Sequence, residues 1–231
     1  MLIIFNSSEA MIRKKALIIT DSLGLPRLTP EKLSGKYCWT HRIANEKSDY
    51  DIYLFSRGGF SSSELIKNID IYFKSYEPDV IIIQLGIVDC APRALGFNEL
   101  KLISAIPILR TVIKKIIDLY RKEIVKFRKI TYVNEMVFLS NLSLFKSKFP
   151  DSKIYAIKIA PATDGYEKNS PGITENINKY NEILDNTFTI IDPYKSIIAS
   201  EILMSDHHHL NRKGHDLIYK EIKALILNEN S

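Results

Sequence analysis

Five short runs along the chain are apolar and rich in β-branched residues: Ala16 to Ile19, Asp51 to Phe55, Val80 to Leu85, Lys153 to Ile159 and Phe188 to Ile191. Runs of this length and composition read as strands. Between them the apolar spacing changes to the helical period. Ser61-Ser-Ser-Glu64 has the form of a capping box, and Leu65, Ile66, Ile69 and Phe73 after it share one helical face. The stretch from Asn98 to about Lys148 is helical in character, with Ile106, Leu109, Ile113, Ile116 and Leu119 in one stripe and Pro107 as a break or first-turn residue. Asn211 is placed to cap a last helix whose Leu217, Ile218, Ile222, Leu225 and Ile226 face the core. Gly, Pro, Asn and Ser between Asp164 and Gly172 predict a mobile surface loop. Strands alternating with helices predict a three-layer α/β/α domain around a five-stranded parallel sheet.

Composition narrows the picture without changing it. A chain of 231 residues fits one domain, residues 1–231, with residues 1–12 as a possible tail. Hydrophobic residues at 45% and charged residues at 26% are ordinary globular values. Of the formal charge of +5, the densest cationic cluster runs from Arg110 to Lys129 and interleaves with apolar residues at helical spacing. That reads as a solvated helix face rather than a nucleic-acid surface, with a mildly anionic substrate or membrane surface left open. Cys38 and Cys90 form neither a metal-ligand spacing nor a disulfide framework, which suits a reducing compartment. Met1 to Phe5 is apolar but has no basic flank before it and no small-residue cleavage site after it, and Met11 is an alternative start. With no uncharged run long enough to span a bilayer, a cytoplasmic location is expected.

In an open parallel sheet, ligands bind outside the carboxyl ends of the strands. The first strand is followed there by Thr20-Asp21-Ser22-Leu23-Gly24, the second by Ser56-Arg57-Gly58-Gly59 and the third by Gly86-Ile87-Val88-Asp89. Beyond the last lies Asp206-His-His-His209-Leu210-Asn211. A serine at one strand end with a histidine and an aspartate at another is the set that acyl transfer requires. A serine hydroxyl is a poor nucleophile until an imidazole, titrating near neutrality, takes its proton. A carboxylate then fixes the imidazole tautomer and stabilises its cation. Asp206, three residues before His209, is within one turn of chain of it.

These blocks resemble those of the SGNH (GDSL-type) hydrolases. Thr20-Asp21-Ser22-Leu23 is similar to their first block, usually Gly-Asp-Ser-Leu, and Asp206-x-x-His209-Leu210-Asn211 with Gly214-His215 is similar to their last. The resemblance runs through nearly the whole chain in the family's order. It implies a flavodoxin-like fold, Ser22 as nucleophile, His209 and Asp206 as its partners, and an oxyanion hole from the backbone N–H groups of Ser22 and of Gly59, or less fittingly Gly58. The third block departs from the family's Gly-x-Asn-Asp, because Val88 stands where the Asn amide would donate to the oxyanion. Losing one such donor costs about a hundred- to a thousand-fold in rate. Arg27 and Arg93 follow the first and third strand ends, and one of them is a candidate substrate-anion anchor, against ordinary surface or structural pairing. Gln84 is a further candidate donor, with a satisfied core amide as its other reading.

The expected activity is that of a serine esterase on small O-acyl esters, O-acetylated carbohydrate first, with no cofactor and no metal. A sugar O-acyltransferase of surface-polysaccharide synthesis and a non-catalytic carbohydrate-binding protein are the alternatives. The partner is accordingly a small-molecule or glycan ester, with no nucleic acid and no membrane insertion. His207 and His208 beside Asp206 invite a metal reading, but adjacent side chains of an extended segment point opposite ways. His215 shares the apolar stripe of Ile218 and Ile222 and reads as a packed core histidine, Asp21 and Asp89 read as caps of backbone N–H groups, and Tyr37, Trp39 and Phe60 as core rather than sugar-stacking aromatics.

Overall fold

The computed structural model describes residues 13–228 except 106 and 198. Readings made on residues 1–12 and on Ile106 lie outside the described residues. The five apolar runs form β1 (Lys14–Thr20), β2 (Tyr50–Ser56), β3 (Val80–Gln84), β4 (Lys153–Ile157) and β5 (Thr189–Ile191). All pair in parallel, in the order β2-β1-β3-β4-β5. β1 and β3 are central, and from Ala16 to Ile19 and Ile81 to Ile83 they are almost completely buried, which is why they read as unbroken apolar runs rather than alternating ones.

The helices are α1 (Trp39–Ala44), α2 (Ser62–Lys67), α3 (Ile87–Cys90), α4 (Phe97–Ser104), α5 (Pro107–Arg128), α6 (Glu135–Ser147), α7 (Asp164–Asn169), α8 (Ile173–Thr187) and α9 (Arg212–Asn228). The chain steps from β1 outward to β2 and then back across β1 to β3. Right-handed crossovers therefore put α1 on one face of the sheet and α2, α6 and α8 on the other. The packing agrees: α1 lies against α9, α2 against α6, and α6 against α8. The strand order reverses between β1 and β3, so the crevice beyond their carboxyl ends is the topological switch point.

Two local expectations need correction. The helix that Ser61 caps stops at Lys67, and although Ser61 accepts from the Glu64 N–H, the Glu64 carboxylate turns to Arg57 and Lys67. Ile69 and Phe73 reach the core from the turn beyond. Asp164 to Asn169 is helical, not a loop, because Thr163 caps its first turn and Glu167 accepts from the Gly172 and Thr174 N–H groups. The predicted stripe does lie on a helix, α5, where Ile116 and Leu119 are exposed. Asn211 does cap α9, accepting from the Gly214 N–H, and Ile218, Ile222 and Ile226 are buried.

Candidate functional site

The nucleophile candidate sits in a tight turn at the end of β1. Asp21 Oδ1 accepts from the Leu23 N–H at 2.8 Å and closes a single turn over Ser22–Gly24. Gly24 is required because a Cβ there would stand 2.2 Å from Thr20 Oγ1. The turn aims the Ser22 hydroxyl out of the sheet, partly exposed.

On the other side of the crevice a second closed loop carries Asp206 and His209. The Ser205 N–H donates to the His209 carbonyl at 2.7 Å, and the Asn211 N–H to the Leu203 carbonyl at 2.8 Å. Inside that loop Asp206 Oδ1 accepts from the His208 and His209 N–H groups at 2.9 and 2.7 Å. The turn leaves the other oxygen free for the ring: His209 Nδ1 and Asp206 Oδ2 are 2.7 Å apart. The carboxylate accepts only, so Nδ1 carries the hydrogen and Nε2 is left as acceptor. Nε2 lies 3.1 Å from Ser22 Oγ. Residues 187 positions apart in sequence thus meet in a Ser–His–Asp line beside the β1/β3 switch point.

The segment is a turn rather than the extended chain assumed for the metal reading. His207 stacks on Tyr166, and His208 lies against the same ring at a centroid distance of 5.5 Å. His208 also lies against the His209 ring at a centroid distance of 4.0 Å. Asp206, His208 and His209 each bring a ligand atom within 4.8 Å of the others. Burial holds His208 below the usual histidine range, so it packs as a neutral ring behind His209. The run of three histidines was the visible signal for this contact, but not for which ring makes it.

Gly59 follows β2 with φ +70°, a left-handed conformation suited to glycine, and a Cβ there would meet nothing. Among the described residues neither the Ser22 nor the Gly59 N–H has an intramolecular acceptor. Val88 lies in α3, one turn beyond β3, and offers no side-chain donor. Nearby amides are committed elsewhere: Asn141 donates to Ser62 Oγ and Asn176 to the Cys90 carbonyl. Gln84 is a core amide whose Oε1 accepts from Trp39 Nε1 at 2.9 Å. Trp39 and Phe60 are fully buried, and Tyr37 lies under the Arg212 guanidinium.

The two arginines differ. Arg27 reaches Ser205 Oγ at 3.4 Å and the Ser22 carbonyl at 3.5 Å, so it spans the loops that carry the serine and the histidine. Arg93 donates to the Val88 carbonyl at 3.3 Å and stacks on Tyr132 at 4.3 Å. Among the described residues neither forms an ion pair, and both are only partly exposed.

Three buried titratable groups underlie the site. Desolvation pushes Asp21 up to about 7 and Asp89 up to about 6, and each keeps one oxygen without a partner. Asp89 Oδ1 accepts from the Ser62 N–H and hydroxyl, tying α3 to the start of α2. His215, fully buried, accepts from the Trp39 N–H through Nδ1 and is held down to about 3 by burial.

The unfolded chain takes up a proton at position 215 near pH 6.5 that the fold refuses, so this contribution to stability is present above about pH 6.5 and is lost as pH falls toward 3. Asp21 and Asp89 act with the opposite sign, their contribution being lost as pH rises through about 6 to 7. His215→Gln keeps an acceptor for Trp39 and removes the titration. Urea midpoints measured across this range are expected to fall less steeply with acid in the variant than in the parent. Identical acid slopes would show that His215 does not drive the loss.

No known family model matches the chain, and no curated protein matches it. Solved structures do. The chain is similar to a lipase/acylhydrolase from Enterococcus faecalis at 15% identity and a TM-score of 0.65, over 94% of this chain and 96% of that one. It is similar to an acetylxylan esterase from Geobacillus stearothermophilus at 14% identity and a TM-score of 0.61, over 92% and 94% of the two chains. A GDSL-like lipase from Bacteroides thetaiotaomicron aligns at 12% identity and a TM-score of 0.60, over 94% and 89%. At these identities the likeness is one of architecture, and the chain has the three-layer α/β/α fold with a five-stranded parallel sheet that these acylhydrolase structures share.

Proposed function

We propose that the protein is a serine esterase acting on small O-acyl esters, with Ser22 as nucleophile, His209 as general base and then acid, and Asp206 as its orienting carboxylate. One observation carries this reading: the unbroken line from Ser22 Oγ to His209 Nε2 at 3.1 Å and from His209 Nδ1 to Asp206 at 2.7 Å, at the switch point of the sheet. As Ser22 Oγ attacks the ester carbonyl, its proton passes to His209 Nε2, and the Ser22 and Gly59 N–H groups take the oxyanion. The ester C–O bond breaks and the alcohol leaves with that proton; water, deprotonated in turn by His209, then attacks the acyl carbon, and His209 returns the proton to Ser22 Oγ as the Oγ–acyl bond breaks and the acid leaves.

A small acyl group is favoured because the cavity lined by Leu23 and His208, the chain neighbours of Ser22 and His209, has room for little more than one water. Acetylated carbohydrate is supported by the acetylxylan esterase among the similar structures. The absent amide at Val88 favours a slower hole, in which a sugar hydroxyl rather than water could receive the acyl group. Covalent labelling by a fluorophosphonate, mapped by peptide mass, tests the nucleophile. Labelling at Ser22 is expected, and a chain left unlabelled or labelled elsewhere sinks the proposal. Product analysis with an added sugar acceptor separates transfer from hydrolysis.

Arg93 is the better substrate-anion anchor of the two arginines, since its contacts are to the Val88 carbonyl and the Tyr132 ring, whereas Arg27 spans the loops that carry Ser22 and His209. Arg93→Ala should mainly raise KM for an anionic ester and leave an activated neutral ester nearly unchanged, while Arg27→Ala should lower kcat for both. Equal losses on both esters in Arg93→Ala would remove it as the anchor. In Val88→Asn the missing donor is restored, and kcat for an activated acetyl ester should rise about tenfold or more. An unchanged or lower kcat would mean that another group already fills that position.

A further inference from the structure

No helix among the described residues is long and apolar enough to cross a membrane, yet α5 presents an amphipathic surface that the protein itself leaves uncovered. Its residues sort into rows by helical spacing. Ile124 and Val125 turn inward, Val125 being buried. Val112, Ile116, Leu119, Tyr120 and Phe127, at steps of three, four and seven, form a row that points away from the body, with Leu119 71% and Phe127 89% exposed. The helix bends at Tyr120, and Phe127 beyond the bend is exposed as Val112, Ile116 and Leu119 before it are. Leu102 of α4, 69% exposed, adds to the apolar surface of the hairpin. A second row, Lys115, Lys122 and Lys126, runs along the flank of the apolar one and is exposed throughout.

The charge of α5 identifies what covers it. Within α5, Arg110, Lys114, Lys115, Arg121, Lys122, Lys126 and Arg128 outnumber Asp118 and Glu123 by five, an excess equal to the formal +5 of the whole chain, and Arg128 is paired with Glu99 of α4. The rest of the molecule is balanced, and among the described residues Lys115, Lys122 and Lys126 make no ion pair. Two copies of this helix face to face would set like charges against each other, which disfavours a second copy as the occupant. An apolar row flanked by unneutralised lysines is the arrangement that lies in an anionic bilayer surface, its apolar side chains among the acyl chains and its ammonium groups at the phosphates. We propose that the α4–α5 hairpin docks the protein peripherally on anionic phospholipid. α5 also packs against α7, and the Arg121 charge reaches Tyr166, beside His207 and His208. The docked protein therefore holds its Ser22 crevice near the lipid surface. The proposal stands on α5 alone and is independent of the reaction assigned to Ser22.

The full chain is sedimented with vesicles of phosphatidylcholine and with vesicles that also contain phosphatidylglycerol. It should pellet with the anionic vesicles only, and high salt should release it. The triple variant Lys115→Gln, Lys122→Gln, Lys126→Gln should bind about a hundredfold more weakly, from ~1 kcal/mol per basic residue at such a surface. The double variant Ile116→Glu, Leu119→Glu should lose binding by at least about tenfold. Both sets lie at exposed positions, so melting temperature and circular dichroism should match the parent. Equal pelleting with neutral and anionic vesicles, no pelleting with either, or variants that bind like the parent overturn the proposal. So does a dimer in solution that Leu119→Glu dissociates, since the row would then be covered by a second copy.

Discussion

Replacing Ser22 with Ala should remove covalent labelling by a fluorophosphonate altogether and lower kcat on an activated acetyl ester by on the order of 10⁴-fold or more. The size of this effect follows from the chemistry proposed. Without Oγ no acyl-enzyme forms, and what remains is whatever water attack the Ser22 and Gly59 N–H groups and His209 still assist. Stability should be nearly unchanged, within roughly 0.5 kcal/mol, because Ser22 is partly exposed and its hydroxyl is bonded to the His209 ring rather than packed in the core. An unfolded or destabilised variant would therefore point to a structural role for the hydroxyl. Turnover near the parent rate would place the nucleophile elsewhere.

The second large effect is expected from Asp206→Asn, and the two oxygens of this residue give it a distinct signature. Oδ1 holds the loop by accepting from the His208 and His209 N–H groups, and an asparagine oxygen can keep both bonds. Oδ2, which accepts from His209 Nδ1, is replaced by an NH₂ that only donates. The ring must then take the opposite tautomer, with its hydrogen on Nε2 pointing at Ser22, and it cannot act as a base. A fall in kcat of on the order of 10⁴-fold with the loop intact is expected, whereas Asp206→Ala should lose stability as well because the turn loses its acceptor. A drop of less than about tenfold in Asp206→Asn would show that the carboxylate does not set the tautomer.

Much of the architecture was legible in local pattern. The central strands β1 and β3, buried on both faces, have no polar alternation, and all five runs stand out by their β-branched and aromatic residues against the helical spacing around them. Caps were legible for the same reason: Asp21, Asn211 and Asp89 accept backbone N–H groups because a short polar side chain after a strand or before a helix has few other partners. His215 was legible as a core residue from its place on the apolar stripe of α9.

What local pattern misjudged were segments whose conformation depends on side chains arriving from elsewhere. Asp164 to Asn169 carries loop-forming residues, yet Thr163 and Glu167 satisfy its backbone and the segment winds into a helix. Asp206 to His209 was taken as extended, but its carboxylate folds it into a turn that lays His208 on His209. The stripe on α5 marks a helix correctly and says nothing about what covers it, because amphipathic spacing is the same whether the apolar face meets a core, a bilayer or solvent.

Residue order by itself determined the five strands and most helices, the parallel sheet they build, the strand ends that bear Ser22, Gly59 and Val88, and the place of Asp206 to His209 before the last helix, since burial period and turn chemistry act over a few residues. Only the tertiary structure decided that Ser22 and His209, 187 positions apart, stand 3.1 Å from each other, that Arg27 spans their two loops, and that the lysine-flanked row of α5 is left outside. Those are distances across the sheet and around its edge, set by strand order and crossover hand, and no local preference encodes them.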